Sequence, residues 1–157
     1  MSHNSYISSA FAFTYLCPMK KLHFLLITTL VFAFACNKGP VHVIPDVPVN
    51  IYIYPNDPLF FDLQAVGGWV YVSGGYRGIL VYRKTFDEFV AYDRACPSAP
   101  DGTCRATVEL NNITAICDCD STRYQIYDGF QVSGPGGGIP LKTYRTTFDG
   151  NALHIYN

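Results

Sequence analysis

The sequence predicts an all-β domain with antiparallel strands, and three observations carry that reading. From about residue 50 onward the chain runs in short stretches rich in Val, Ile, Tyr and Phe, side chains that suit a pleated, half-buried surface. Gly, Pro, Asn and Asp separate these stretches at hairpin intervals. Helix signals are scarce: only Thr85, with Glu88 three residues on, hints at a capped turn. At 49% hydrophobic and 15% charged, the 157-residue chain is too apolar for disorder and of a length for one globular domain.

The expected strands, in order, cover residues 51–54, 69–72, 78–82, 89–93, 107–110, 113–116, 123–126, 144–148 and 152–156. Asn111-Asn112, Asp128-Gly129 and Asp149-Gly150 read as the turns between neighbours, because these residues tolerate the positive φ that tight hairpins demand. The run Gly134-Pro135-Gly136-Gly137-Gly138 lacks the Gly-Lys-Ser/Thr ending of a phosphate loop and precedes a strand, so it reads as a flexible loop. The many tyrosines and phenylalanines read as filling of a β core before they read as a binding platform.

The N-terminal part carries an address. Met19-Lys20-Lys21, an apolar stretch from Leu22, and Ala33-Phe34-Ala35-Cys36 together have the layout of a signal peptide with small residues before a cysteine. The stretch is shorter than the roughly 20 residues a spanning helix needs and contains Thr28 and Thr29. The expectation is a bacterial lipoprotein acylated on Cys36. Residues 1–18 then form an extension ahead of the true start, 19–35 the signal peptide, 36–49 the lipidated cysteine and a Pro-rich tether, and 50–157 the folded domain. Past Cys36 there are nine Lys/Arg and twelve Asp/Glu, a balance near −3 with no basic run to follow a phosphate backbone, so nucleic acid is not an expected partner.

With Cys17 in the extension and Cys36 acylated, four cysteines remain: Cys96, Cys104, Cys117 and Cys119. An even number in an oxidising compartment reads as disulfides, with three connectivities open. Their spacing is unlike the paired, closely spaced cysteines of structural zinc. A thiol-disulfide catalyst built on Cys117-Asp118-Cys119 would need nearby positive charge; Arg123 is the one cation close in sequence, and Asp118 and Asp120 oppose it. Neither aspartate has a nucleophile or third partner in view, and catalysis is not expected.

Several motifs, taken in order, resemble the Rieske 2Fe-2S family over residues 50–157. Phe89-Val90-Ala91-Tyr92-Asp93-Arg94-Ala95-Cys96-Pro97 is similar to the strand and first ligand loop of that family. Cys117-Asp118-Cys119-Asp120-Ser121-Thr122-Arg123-Tyr124 is similar to its Cys-Pro-Cys-His-Gly-Ser-Arg-Phe, and Tyr127-Asp128-Gly129-Phe130 to the hairpin that follows. Ser133-Gly134-Pro135 resembles its proline loop and Pro140-Leu141-Lys142-Thr143-Tyr144 the strand leading away. The resemblance implies an antiparallel sandwich or barrel with an inserted small loop-rich subdomain.

Position by position, the resemblance makes Cys96 and Cys117 the thiolate positions of a cluster and puts Ser98 and Asp120 where two imidazoles belong. A serine hydroxyl stays protonated at neutral pH, and a carboxylate adds charge to an already anionic cluster. Only His42 and His154 lie past the signal, in the tether and the last strand, and both read as surface or packing residues. No cofactor and no metal are therefore expected, with Cys96 and Cys117 the residues to hold either if one is present. The resemblance further implies a Cys104–Cys119 disulfide and, without metal, a Cys96–Cys117 one. The expectation is a membrane-tethered cell-envelope lipoprotein, facing the periplasm or the cell exterior, with a Rieske-like domain that has lost its cluster. It acts as a disulfide-braced module for an unknown protein or small molecule. The alternative is a 2Fe-2S electron-transfer protein with non-standard ligands such as Asp120.

Overall fold

A computed structural model describes residues 44–99 and 103–157. The readings of residues 1–18, the signal peptide, Cys36 and His42 lie outside the described residues. Ten strands form: β1 (Asn50–Ile53), β2 (Trp69–Val72), β3 (Ile79–Arg83), β4 (Phe89–Asp93), β5 (Ala106–Val108), β6 (Thr114–Cys117), β7 (Arg123–Gln125), β8 (Gln131–Ser133), β9 (Thr143–Phe148) and β10 (Leu153–Tyr156). They make two antiparallel sheets. Six strands run in the order β1-β10-β9-β4-β3-β2, and the smaller sheet, β5-β6-β7-β8, is inserted in the chain between β4 and β9. The domain is thus all-β and antiparallel, with a small inserted subdomain.

The period of two in β3 and β4 explains the arrangement. Successive side chains of a strand point to opposite faces, and a strand apolar on both faces must be covered on both. Ile79 and Val81 of β3 enter one core with Phe89, Ala91, Leu153 and Ile155, whereas Leu80 enters the other. On β4, Phe89 and Ala91 face the first core and Tyr92 the second. That second core is filled by the inserted sheet, through Ala106, Ala115, Tyr124 and Ile126. Fully burying a side chain such as Leu80 is worth about 1.5–3 kcal/mol, so the insertion stabilises the central strands it covers.

The hairpin turns form where the sequence places them. Asn112 takes φ 55°, Gly129 φ 77° and Gly150 φ 95°. Gly129 also packs tightly, since a Cβ there would lie 2.6 Å from Tyr92 Cε1. Thr85 does cap: its Oγ1 accepts from Glu88 N at 3.0 Å. No helix grows from it, because Lys84 and Thr85 donate their N–H groups to Glu88 O and close the β3–β4 hairpin instead.

Two elements go beyond the sequence reading. A 3-10 segment, Pro58–Gln64, starts at Asp57, whose side chain accepts from Leu59 N, with Pro58 preset for the first turn. The three-residue strand β8 pairs only with β7 and carries no apolar alternation. Residues 44–48, within the segment read as a tether, hold no strand or helix but are docked. Ile44 is buried, Lys142 Nζ reaches Pro45 O and Asp46 Oδ1, and Asn157 Nδ2 donates to Asp46 Oδ1 and Val47 O.

The buried carboxylate of Asp93, at the end of β4, accepts four hydrogen bonds. Oδ2 takes Tyr76 N at 2.6 Å and Tyr144 Oη at 2.7 Å; Oδ1 takes Arg77 N at 3.2 Å and Ala95 N at 2.8 Å. Burial, reinforced by this carboxylate, holds the Tyr144 phenol well above its usual pKa. A Cβ at Gly75, φ 63°, would sit 2.5 Å from Tyr144 Oη and 2.6 Å from Asp93 Oδ2. Asp93→Ala leaves several donors without an acceptor and is expected to cost about 3–5 kcal/mol in urea denaturation. Gly75→Ala, strained in both backbone and space, is expected to lower the same midpoint, whereas Gly150→Ala, which meets no atom within 4 Å, should cost less.

Candidate functional site

Local structure brings the cysteine loops together. β4 delivers Arg94, Ala95 and Cys96, and a β-bridge pairs Ala95 with Arg105 just beyond Cys104. Cys117 ends β6 opposite Ala106. The chain then turns tightly: Ser121 N donates to Cys117 O, Cys117 N to Thr122 O, and Ser121 adopts φ 60°. On the other loop, Ala99 N donates to Cys96 O and closes the Cys96-Pro97-Ser98 turn.

Two disulfides result. Cys96 is joined to Cys117 with Cα atoms 5.9 Å apart, and Cys104 to Cys119 at 5.8 Å. These are the pairs that the resemblance implies. Cys96, Cys104 and Cys117 are fully buried, while Cys119 is exposed.

Asp120 is held in this turn by accepting from Thr122 N at 2.9 Å. Burial pushes its carboxyl pKa up, but the Ser98 hydroxyl and the Thr122 backbone and side chain outweigh that effect, and the pKa ends below its ordinary value. Three hydroxyls, Ser98 Oγ, Thr122 Oγ1 and Tyr124 Oη, are buried around this turn, and the first two stabilise the Asp120 charge. Burial, with Asp120 nearby, pushes the Tyr124 phenol up to about 12. The glycine-rich segment read as a flexible loop is pressed onto these residues. A Cβ at Gly134 would lie 2.6 Å from Thr122 Cα, and one at Gly136 would lie 2.7 Å from Thr122 Cγ2 and 3.0 Å from Tyr124 Oη. Gln131 pins the segment by donating to Gly134 O and accepting from Gly138 N.

The residues at the positions that the resemblance gives to a cluster have other partners here. The two sulfurs are bonded to each other, Ser98 offers a neutral hydroxyl, and the Asp120 carboxylate is already engaged. His154 is occupied elsewhere: Nε2 meets Asn50 Oδ1 at 2.8 Å, and its ring stacks with Tyr52 and Tyr156. Among the described residues no group of three or more His, Cys, Asp or Glu side chains is arranged to hold a metal ion.

The charge around the loops differs from the sequence reading. Arg123 is bound to Glu109, its Nε lying 3.1 and 3.2 Å from the two carboxylate oxygens. Arg94 and Arg105 also adjoin the second loop: Asp118 N donates to Arg105 O, and Asp118 attracts Arg94. With Arg77 they line a concave site that sequence reasoning missed. Its signal was the run Ser73-Gly74-Gly75-Tyr76-Arg77-Gly78, but no spacing along the chain brings Arg94 and Arg105 to that run.

No family model matches the chain, and no curated protein matches it. Solved structures resemble it, among them these two. One is the ferredoxin of carbazole 1,9a-dioxygenase from Nocardioides aromaticivorans IC177, 15% identical, with 71% of this chain and 98% of that one covered and a TM-score of 0.45. The other is a complex of reduced oxygenase and oxidized ferredoxin in carbazole 1,9a-dioxygenase, 20% identical, with 57% and 81% covered and a TM-score of 0.41.

Each disulfide closes a modest loop, 21 residues for Cys96–Cys117 and 15 for Cys104–Cys119. Replacing Cys104 and Cys119 together by Ser is expected to lower the unfolding free energy by about 2–4 kcal/mol, read by chemical denaturation. Asp120 adds an acid limb to the stability profile. Because its folded pKa is depressed, its contribution is complete above the ordinary value of 3.8 and fades as pH falls through the lower folded value. Asp120→Asn should flatten that limb in melts taken between neutral and acid pH.

Proposed function

We propose that the chain is a membrane-tethered cell-envelope lipoprotein whose Rieske-like domain has lost its iron-sulfur cluster and serves as a disulfide-braced binding or structural module. The observation that carries this reading is the state of the four cluster positions. Cys96 and Cys117 are spent on each other, and Ser98 and Asp120 stand in place of imidazoles. The order of motifs from Phe89 to Tyr144 supports descent from a cluster-binding scaffold.

Two bridges take over the task of holding the loops, which a small domain in an oxidising compartment can sustain without metal. With Arg123 paired to Glu109, binding is the role these loops suit. The partner is a protein or a small molecule. The tether rests on Ala33-Phe34-Ala35-Cys36 and the basic, then apolar, stretch before it.

The full chain, purified anaerobically from iron-replete cells, is expected to be colourless and free of iron and sulfide. Mass mapping of a non-reduced digest should return Cys96–Cys117 and Cys104–Cys119. A brown protein with about two irons per chain would establish the 2Fe-2S electron-transfer reading in its place. Labelled palmitate should enter the wild-type chain in a bacterial host and fail to enter Cys36→Ser; equal labelling of both would remove the anchor from the proposal.

A further inference from the structure

The concavity beside the cysteine loops has a volume of about 360 Å³ and is walled by the 73–78 loop with Tyr71, Arg77, Arg94 and Arg105. Three arginines line it and no Asp or Glu does; the Asp93 carboxylate lies behind the glycine loop, engaged by Tyr76 N, Arg77 N, Ala95 N and Tyr144 Oη. The ion pairs among the described residues lie elsewhere, at Lys84–Glu88, Arg123–Glu109 and Lys142–Asp46. Asp118 attracts Arg94 from outside the wall and is itself exposed.

Each arginine is placed by a different device. Arg94 is half-buried, with Nε donating to Ala106 O at 3.0 Å and its guanidinium 3.6 Å over the Tyr71 ring. Arg77 sits on the loop that Asp93 anchors through Tyr76 N and Arg77 N; its Nε is buried and has no hydrogen-bond partner. Arg105 is exposed at the rim, fixed by its bridge to Ala95 and by the adjacent Cys104–Cys119 bond. Like charges held together in a partly desolvated hollow repel, and an unpaired buried donor is unfavourable, so the arrangement as it stands is costly. A dianion in the hollow reverses both effects.

We propose that this pocket binds the phosphate group of a phosphate monoester, with Arg77, Arg94 and Arg105 as its donors. A phosphomonoester carries close to two negative charges on one compact group with three acceptor oxygens, whereas a carboxylate brings one charge and two oxygens. The planar guanidinium fork matches such oxygens two at a time. The hollow is larger than a phosphate, which leaves room for the organic part of the ester against Tyr71 and the glycine loop. The pocket is separate from the cysteine pairs and needs no cluster, so it stands whichever way the loops are read.

The same chemistry is offered by a soluble phosphate ester and by a phospholipid headgroup, and calorimetric titration of the full chain distinguishes them. The probes are glycerol 3-phosphate, dihexanoyl phosphatidic acid, dihexanoyl phosphatidylcholine and glycerate. Saturable binding of glycerol 3-phosphate, lost on raising salt and weakened about tenfold or more in an Arg77→Gln, Arg105→Gln double variant, is the expected result. Lys142→Gln, whose ammonium is engaged with Asp46, should bind as wild type. Phosphatidic acid bound about as tightly as glycerol 3-phosphate assigns a soluble ester; much tighter binding of phosphatidic acid assigns a lipid headgroup. Three results overturn the proposal: no saturable binding of either phosphate probe, glycerate bound as tightly as glycerol 3-phosphate, or affinity unchanged in the double variant while its melting profile shows it folded.

Discussion

The buried carboxylate of Asp93 is the junction on which the rest of the β domain depends. It sits where β4 ends, and its four hydrogen bonds run to three separate places: the 73–78 loop, the backbone that leads into Cys96, and Tyr144 on β9. A charge taken out of water is tolerable only when hydrogen bonds replace its hydration, and here four donors do so. Because the donors come from distant stretches of chain, satisfying the charge fixes their mutual positions. The arginine pocket and the first cysteine loop therefore share one support. Gly75 lets the loop come this close, through positive φ and through the space a side chain would occupy, while Gly74 packs against Ile51.

The inserted sheet depends on the same central strands in a different way. β3 and β4 are apolar on both faces, so they require a cover, and β5 to β8 provide it. Their own strands are three or four residues long and would hold little structure alone. The two disulfides compensate at the end of this small sheet, tying it to the β4 side at Cys96 and closing its own tip at Cys104 and Cys119. Packing and covalent bonds thus divide the work. The apolar face holds the middle of the insertion, and sulfur holds its edge.

Much of this was legible in the sequence where a local rule had one answer. β2 and β4 match their expected bounds because Trp69–Val72 and Phe89–Asp93 are dense in β-formers and end at turn residues. β8 was not legible, since Gln131–Ser133 owes its state to one neighbour across the ladder rather than to a pattern of its own. The Pro58–Gln64 segment had a readable start in Asp57-Pro58, but its apolar residues follow neither a strand nor a helix period cleanly. At the site, the cysteine positions could be placed only through a resemblance. Spacing alone leaves their pairing open. The arginine pocket was invisible for a plainer reason: Arg77, Arg94 and Arg105 are neighbours only after β3 pairs with β4 and Ala95 bridges to Arg105.

The docking of residues 44–48 bears on the order of assembly. β1 has β10 as its ladder partner, with Asn50 opposite Tyr156, so one edge of the large sheet joins stretches of chain more than a hundred residues apart. Asn157 then clasps the entering segment: its Oδ1 accepts from Val49 N and its Nδ2 reaches Asp46 and Val47. Closing so long a loop costs entropy before any contact rewards it, which makes this seam slow to form. A chain emerging from a ribosome or a membrane pore cannot complete the seam until its last strand is free. Up to that moment β1 has no ladder partner, and the clasp at Asn157 is the latch that ends the wait.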